Sequence, residues 1–206
     1  MKSRRAAQES VDAPFVSRAG LKLDHALREF GVDVKGWICA DFGCNVGGFT
    51  DCLLQRGAAK VYAIDTGYGA LAWTLRNDSR VVVMERTNAL HTPAQDQVDL
   101  VAIDLAWTPQ RLAIPAALRW LKPAGRILTL VKPHYELDES QKREFLHDGR
   151  LDADQAQRVL QRVMDQMPEW GVEIIAHTQS PITGGKSSRG SQAGNVEYLV
   201  AARLCL

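Results

Sequence analysis

The sequence predicts a three-layer α/β protein built on a mostly parallel sheet with an antiparallel C-terminal strand. Apolar runs alternate with amphipathic stretches through residue 132, the pattern of repeated strand and helix units. Four of those runs end in a charged residue, Asp41, Asp65, Asp104 or Lys132, at the strand ends where parallel sheets meet their ligands. The tail then offers two apolar runs, 171–178 and 195–204, separated by a Gly/Ser-rich loop over 181–194. Such a hairpin-like return adds an antiparallel edge to a parallel sheet.

A chain of 206 residues, 46% hydrophobic and 24% charged, is long enough for one domain with a sizeable core. Its net charge of +1 leaves any nucleic-acid affinity to local clusters: Lys2, Arg4 and Arg5 near the start, Lys186 and Arg189 near the end. Either cluster reads equally as solvated surface. No apolar run approaches the roughly 20 residues of a membrane span, and no apolar signal core follows the basic start, so a cytoplasmic location is the default. Cys39, Cys44, Cys52 and Cys205 form no C-x-x-C pair and have no histidine at ligand spacing, so they are expected as reduced thiols in or near the core, with no metal.

Residues 1–15 read as a flexible lead-in and 16–206 as one domain. From Ser17, a candidate cap, the positions Ala19, Leu21, Leu23, Ala26, Leu27 and Phe30 trace a helical face that Gly31 stops. Lys22 lies in this helix and by itself reads as a surface lysine. A first strand is expected over 37–42. The segment ICADFGCNVGGFT (38–50) then turns an apolar run through glycines into a helix over 48–56, the grammar of a strand feeding a ligand-facing helix N-terminus. Gly43 permits the sharp turn, while Gly47 and Gly48 let the helix approach a ligand or the sheet. With Asn at 45, these glycines do not spell the dinucleotide pattern G-x-G-x-x-G, which argues against hydride transfer.

KVYAID (60–65) is a second strand whose Asp65 can accept the two hydroxyls of an adenosine ribose or serve as a turn acid. A short helix is expected over 70–75 and a third strand over 81–85. Just beyond it, Asn88 can meet an adenine edge or form an Asx-turn. DLVAID (99–104) delivers Asp104 to the same sheet edge. Pro109 then opens a helix over 110–121, and Lys122-Pro123-Ala124-Gly125 forms a turn. A fifth strand over 126–132 ends at Lys132, which Pro133 fixes at the strand mouth. Residues 136–152 read as a loop with a short helical piece, and 154–167 as an amphipathic helix ended by Pro168. Glu197, near the start of the last strand, alone reads as a solvent-facing residue. Gly184-Gly185-Lys186-Ser187 imitates a phosphate loop, but Ser180 stands where that motif needs glycine and no helix follows, which excludes a nucleoside triphosphatase.

In a parallel sheet the 43–49 loop, Asp65, Asn88, Asp104 and Lys132 meet at one mouth, within reach of Lys22 and Glu197. Two cations interleaved with two anions suit deprotonation of a poor acid such as a sugar hydroxyl. A neighbouring cation lowers a lysine toward its neutral form and the carboxylates oppose that, a balance left open at this level. The second lysine can stabilise charge on the attacking oxygen.

The blocks VSRAGLKLDHAL, DFGCNVGGFTDCLLQRGAAKVYAIDTGYGALAWTLRNDSRVVVMERTN, LVKPHYE and QSPITG…GNVEYL, in this order over residues 16–204, resemble the FtsJ-like RNA ribose 2′-O-methyltransferases. They are most similar to the haemolysin-A-type (TlyA-like) branch. The resemblance implies a three-layer Rossmann-like methyltransferase fold, S-adenosyl-L-methionine as cofactor, and RNA as substrate, rRNA or tRNA. It implies a Lys-Asp-Lys-Glu tetrad on Lys22, Asp104, Lys132 and Glu197, with Lys132 as general base. Lys22 and Glu197 support that base, and Asp104 places both donor and hydroxyl. It assigns Asp41, Gly43, Gly47, Gly48 and Phe49 to the methionine-side loop, Asp65 to the ribose and Asn88 to the adenine. The branch usually carries an S4-like RNA-binding domain ahead of the enzyme domain, and 16 residues leave no room for one. RNA recognition would then fall to a separate partner or to the long loop carrying Lys186 and Arg189. A Ser-rich segment of the family is replaced by Ala106-Trp107-Thr108-Pro109, where Trp107 can stack on a base or pack. Two other readings remain: methylation of a small molecule or a protein, and a non-catalytic RNA- or protein-binding module.

Overall fold

A computed structural model describes residues 13–184 and 194–205. The basic clusters at Lys2, Arg4, Arg5, Lys186 and Arg189 lie outside the described residues. The chain folds as a mixed α/β protein with one central sheet and helices on both faces. In order the elements are α1 (Ala19–Glu29), β1 (Ile38–Phe42), α2 (Gly48–Gln55), β2 (Lys60–Ile64), α3 (Trp73–Arg76), β3 (Val81–Met84), β4 (Val98–Ile103), α4 (Gln110–Leu118) and β5 (Leu121–Val131). A 3-10 turn over Pro133–Tyr135 leads to α5 (Glu139–Phe145) and α6 (Ala153–Gln166). The chain closes with β6 (Val172–Gln179) and β7 (Tyr198–Leu204).

The seven strands lie in the order β3-β2-β1-β4-β5-β7-β6. The strands β1 to β5 pair in parallel, and β7 runs antiparallel to both of its neighbours. The antiparallel strand is therefore interior, not the edge the hairpin-like pattern suggested. The reason lies in side-chain polarity: the first five residues of β7, YLVAA, are all buried, whereas β6 alternates between buried or half-buried and exposed positions. A strand polar on alternate positions tolerates the edge, and a continuously apolar one does not.

Two cores follow from strand alternation. On one face Phe42, Tyr62, Val101, Ile103 and Ile127 meet α4 and α6. Trp120, fully buried there, sits edge-on to Phe42 and Tyr62 with ring centroids at 5.8 and 5.6 Å. On the other face Val61, Ala63, Leu100 and Ala102 pack beneath Leu23 and Leu27 of α1, Phe49 and Leu53 of α2, and Leu75 of α3. Ala26 of α1 continues that face across Leu130 and Leu199, which lays α1 over the junction of β5 and β7.

Several expected boundaries shift. The Ser17 side chain does not cap α1: Arg18 is the N-cap residue, and the Ser17 carbonyl, not its hydroxyl, accepts from Gly20 N–H. The short helix begins at Trp73, three residues later than expected. The 122–125 turn survives as a bulge inside β5, since Val98 faces Leu121 while Leu100 already faces Arg126. The last strand begins at Tyr198, which leaves Glu197 just ahead of it. Cys39, Cys44 and Cys52 are buried free thiols, but Cys205 is exposed beyond the end of β7, where no element covers it. No helix among the described residues is long and apolar enough to cross a membrane.

Candidate active site

At the C-terminal ends of the parallel strands lies a cleft of about 1130 Å³. Its first half grows out of the β1–α2 turn. Gly43 has φ +90°, and a Cβ there would stand 2.7 Å from the Asp104 carbonyl oxygen, so glycine lets the exits of β1 and β4 touch. Gly47 has φ +104°, and a side chain on it would collide with Leu71 and Leu75. A Cβ on Gly48 would run into Ser17 and come within 2.8 Å of Gly20 N. Both of these glycines serve helix packing, and neither lines the cleft, whereas Gly43 and Phe49 do.

Asp41 is also outside the cleft wall. Fully buried, it uses Oδ2 to accept from Thr50 N–H at 2.9 Å and from the Thr50 hydroxyl at 2.6 Å, while Oδ1 has no partner among the described residues. Burial pushes its carboxyl up to about 7, against the Thr50 hydrogen bond, with Asp104 and Asp65 adding to the rise. Asp65, half-buried, does line the cleft. It accepts from Asn45 N–H at 2.9 Å and Gly67 N–H at 2.7 Å, which locks the carboxylate against the glycine loop. Each oxygen keeps further lone-pair capacity for a hydroxyl. Asn88 forms the Asx-turn, its Oδ1 accepting from Leu90 N–H at 2.9 Å, and its exposed side chain lines the cleft wall.

The second half is assembled from four separate segments. Lys22, only 8% exposed and so no surface lysine, reaches from α1 to Glu197, 4% exposed, with Nζ to Oε2 at 2.5 Å. Lys132, at the end of β5, meets Asp104 Oδ1 at 2.5 Å and donates to the Leu105 carbonyl at 3.2 Å. All four side chains line the one cleft. They are paired as two ion pairs, each lysine with its own acid, rather than mixed as a loose cluster. Buried ion pairs stabilise a fold poorly, because desolvation offsets much of their attraction. The buried Lys22–Glu197 pair and the half-buried Lys132–Asp104 pair, side by side in a cleft wall, therefore point to chemistry more than to stability.

From the sequence alone no role falls to His134 and Tyr135, although both lie in the LVKPHYE block. His134 and Tyr135 occupy the 3-10 turn, with ring centroids 4.1 Å apart, and both line the cleft. Burial, and then Lys132, push the His134 imidazole down to about 4, so it is neutral near pH 7; its Nδ1 has no partner among the described residues. The Tyr135 ring lies 5.9 Å from Lys132 Nζ. Its hydroxyl is raised first by burial and then by the charges of Glu197 and Asp104. The signal available was adjacency alone: Pro133 stops the strand and holds the next two residues at its mouth. Trp107 does not pack inside. It is 81% exposed, has φ +53°, and faces the Tyr135 ring at 5.9 Å on the cleft rim.

The FtsJ-like methyltransferase family matches residues 15–203. A candidate rRNA methyltransferase of Bacillus subtilis, YqxC, is 42% identical over 192 residues, which make up 90% of this chain and 64% of that protein. The 16S/23S rRNA (cytidine-2′-O)-methyltransferase TlyA of Mycobacterium tuberculosis is 41% identical over 194 residues, 92% of this chain and 68% of the relative. The chain thus spans about two thirds of the length of these two relatives. The crystal structure of a candidate hemolysin from Lactococcus lactis shares the fold with a TM-score of 0.83 at 36% identity, covering 93% of this chain and 89% of that one. With near-complete coverage by the family and identities above 40% to two of its relatives, this chain belongs to the FtsJ-like methyltransferases, on their haemolysin-A (TlyA) branch.

Proposed function

We propose that the chain is an S-adenosyl-L-methionine-dependent 2′-O-methyltransferase acting on ribose hydroxyls of RNA, with a Rossmann-like methyltransferase fold, working in the cytoplasm. The observation that carries this is the convergence of Lys22–Glu197 and Lys132–Asp104 on one cleft whose other half holds Asp65 and Asn88. The rRNA methyltransferase activity of the Mycobacterium tuberculosis relative puts rRNA first among substrates, with tRNA second.

The first half of the cleft fits the donor. Its apolar wall of Val46, Ile64, Ala89 and Leu90 suits an adenine ring, and the Asp65 carboxylate retains acceptor capacity for two ribose hydroxyls. Asn88 would meet the adenine edge, and Gly43 and Phe49 would flank the methionine side. Asp41, Gly47 and Gly48 would act indirectly, by fixing the loop. When bound, S-adenosyl-L-methionine supplies an electrophilic methyl group on a sulfonium.

Lys132 would take the proton of the 2′-hydroxyl, freeing the ribose oxygen for the methyl group that the donor would supply on losing its C–S bond and leaving as the neutral thioether. Asp104 and the Leu105 carbonyl aim its Nζ. Lys22 holds the negative charge developing on that oxygen, and Glu197 fixes Lys22. A separate partner would supply further RNA recognition.

The test gives the purified chain radiolabelled donor together with total RNA, a protein extract or a metabolite pool. Label in RNA that nuclease releases as 2′-O-methylnucleoside is the expected result. Label confined to protein or metabolites overturns the RNA reading, and donor binding without any transfer favours a binding module.

A further inference from the structure

Two polar residues outside the tetrad, buried Gln110 and half-buried Glu136, join the arms that carry its second ion pair. Asp104 ends the β4 arm, which continues through residues 105–109 into α4; Lys132 ends the β5 arm, which continues into the 3-10 turn. At the start of α4 the N-cap residue is Pro109, which supplies no side-chain cap. The cap comes instead from the other arm: Gln110 N–H donates to both carboxylate oxygens of Glu136, at 3.0 and 3.2 Å. The Gln110 side chain, 3% exposed, reaches the strand itself. Its Oε1 accepts from the Thr129 hydroxyl at 2.7 Å and its Nε2 donates to the Leu130 carbonyl at 3.4 Å. Arg162 of α6 donates to the Glu136 carbonyl at 3.1 Å, which ties the brace to the helix layer.

These bonds grip the β5 arm on both sides of Lys132, at Thr129 and Leu130 before it and at Glu136 after it, and anchor all three to the first residue of α4. A helix start is ordinarily capped by its own N-cap residue. A cap drawn from 26 positions away, in partly buried surroundings, ties the start of α4 to the β5 arm beyond the point where the β4–β5 ladder ends at Ile103 and Thr129. We propose that Gln110 and Glu136 are positioning residues, a brace that holds the Asp104 and Lys132 arms at the separation their ion pair needs. The inference rests on the methyltransferase reading for its kinetic consequence, but the brace itself is a property of the fold.

Misplacing a catalytic group by about 1 Å costs on the order of 100-fold in rate. Glu136→Ala is therefore expected to lower kcat by about 10- to 100-fold, with donor Kd and KM within about twofold. Glu136→Gln, which keeps an acceptor for Gln110 N–H, restores most of kcat. Thr129→Val, close in shape and lacking the hydroxyl, lowers kcat by about 3- to 10-fold and covers the case in which Glu136→Ala fails to fold. Amide hydrogen exchange supplies a readout free of activity. In Glu136→Ala, exchange speeds up together across 104–110 and 132–136, while the 43–49 loop is unchanged. Exchange that rises only at the first turn of α4, or a kcat within twofold of wild type, overturns the brace. A wild-type chain that labels no RNA overturns the methyltransferase reading instead, and the exchange result then judges the brace alone.

Discussion

The two halves of the cleft are built on different principles. The half proposed for the donor is a backbone construction: Gly43, Gly47 and Gly48 occupy places where a Cβ would strike a neighbour, and Asp65 is clamped by two backbone N–H groups. The half proposed for the transfer is a side-chain construction, in which Lys22, Asp104, Lys132 and Glu197 come from four segments and meet as two ion pairs, one buried and one half-buried. A backbone site is fixed once its strand and helix form. A side-chain site depends on how arms distant in sequence are held, so its failure mode is a loss of alignment and not of folding.

The sharpest way to separate the halves is Lys132→Ala, expected to cut methyl transfer by about 10³-fold while donor affinity, measured by calorimetry, stays within about twofold. A parallel loss of donor binding would merge the halves and break the comparison. Next in size is the effect of pH on stability, read through Asp41, which lies under the donor half. Its folded carboxyl is raised from an ordinary 3.8 to about 7, so its stabilising contribution is fully present below 3.8 and is lost as the pH rises through about 7. Urea melts of wild type should therefore lose a few kcal/mol across that window, and Asp41→Asn should flatten the slope. Gly47→Ala should cost about 2 kcal/mol of stability, since it adds strain at positive φ to a collision with Leu71 and Leu75. At saturating donor the folded fraction of that variant should still turn over. The smallest effect belongs to Asp65→Ala, expected to weaken donor binding by about 10-fold through lost ribose hydrogen bonds, with kcat little changed.

The donor half was the more legible in sequence because its signals are contiguous: an apolar run, an acid, then glycines. Strand ends were readable for the same reason, since Asp65, Asp104 and Lys132 each close an apolar run and each lines the cleft. What the glycines at 47 and 48 do was less readable. The pattern marks a close approach without saying to what, and the partners turned out to be leucines and α1. The pairing of Lys22 with Glu197 joins residues 175 positions apart, and only the placement of α1 over β5 and β7 brings them together. The interior position of β7 runs against what a hairpin-like return suggests, although its unbroken apolar run argues against an edge. Tyr135 and His134 carried no periodic signal at all.

The reversed direction of β7 has a consequence for how such a protein can change. Every other strand bordering the cleft offers its exit to it, whereas β7 offers its entrance, so Glu197 arrives from whatever precedes it. Residues added or removed between Gln179 and Glu197 change what precedes Glu197 and leave all six ladders as they were. Evolution can exchange one acceptor for another there without renegotiating the sheet.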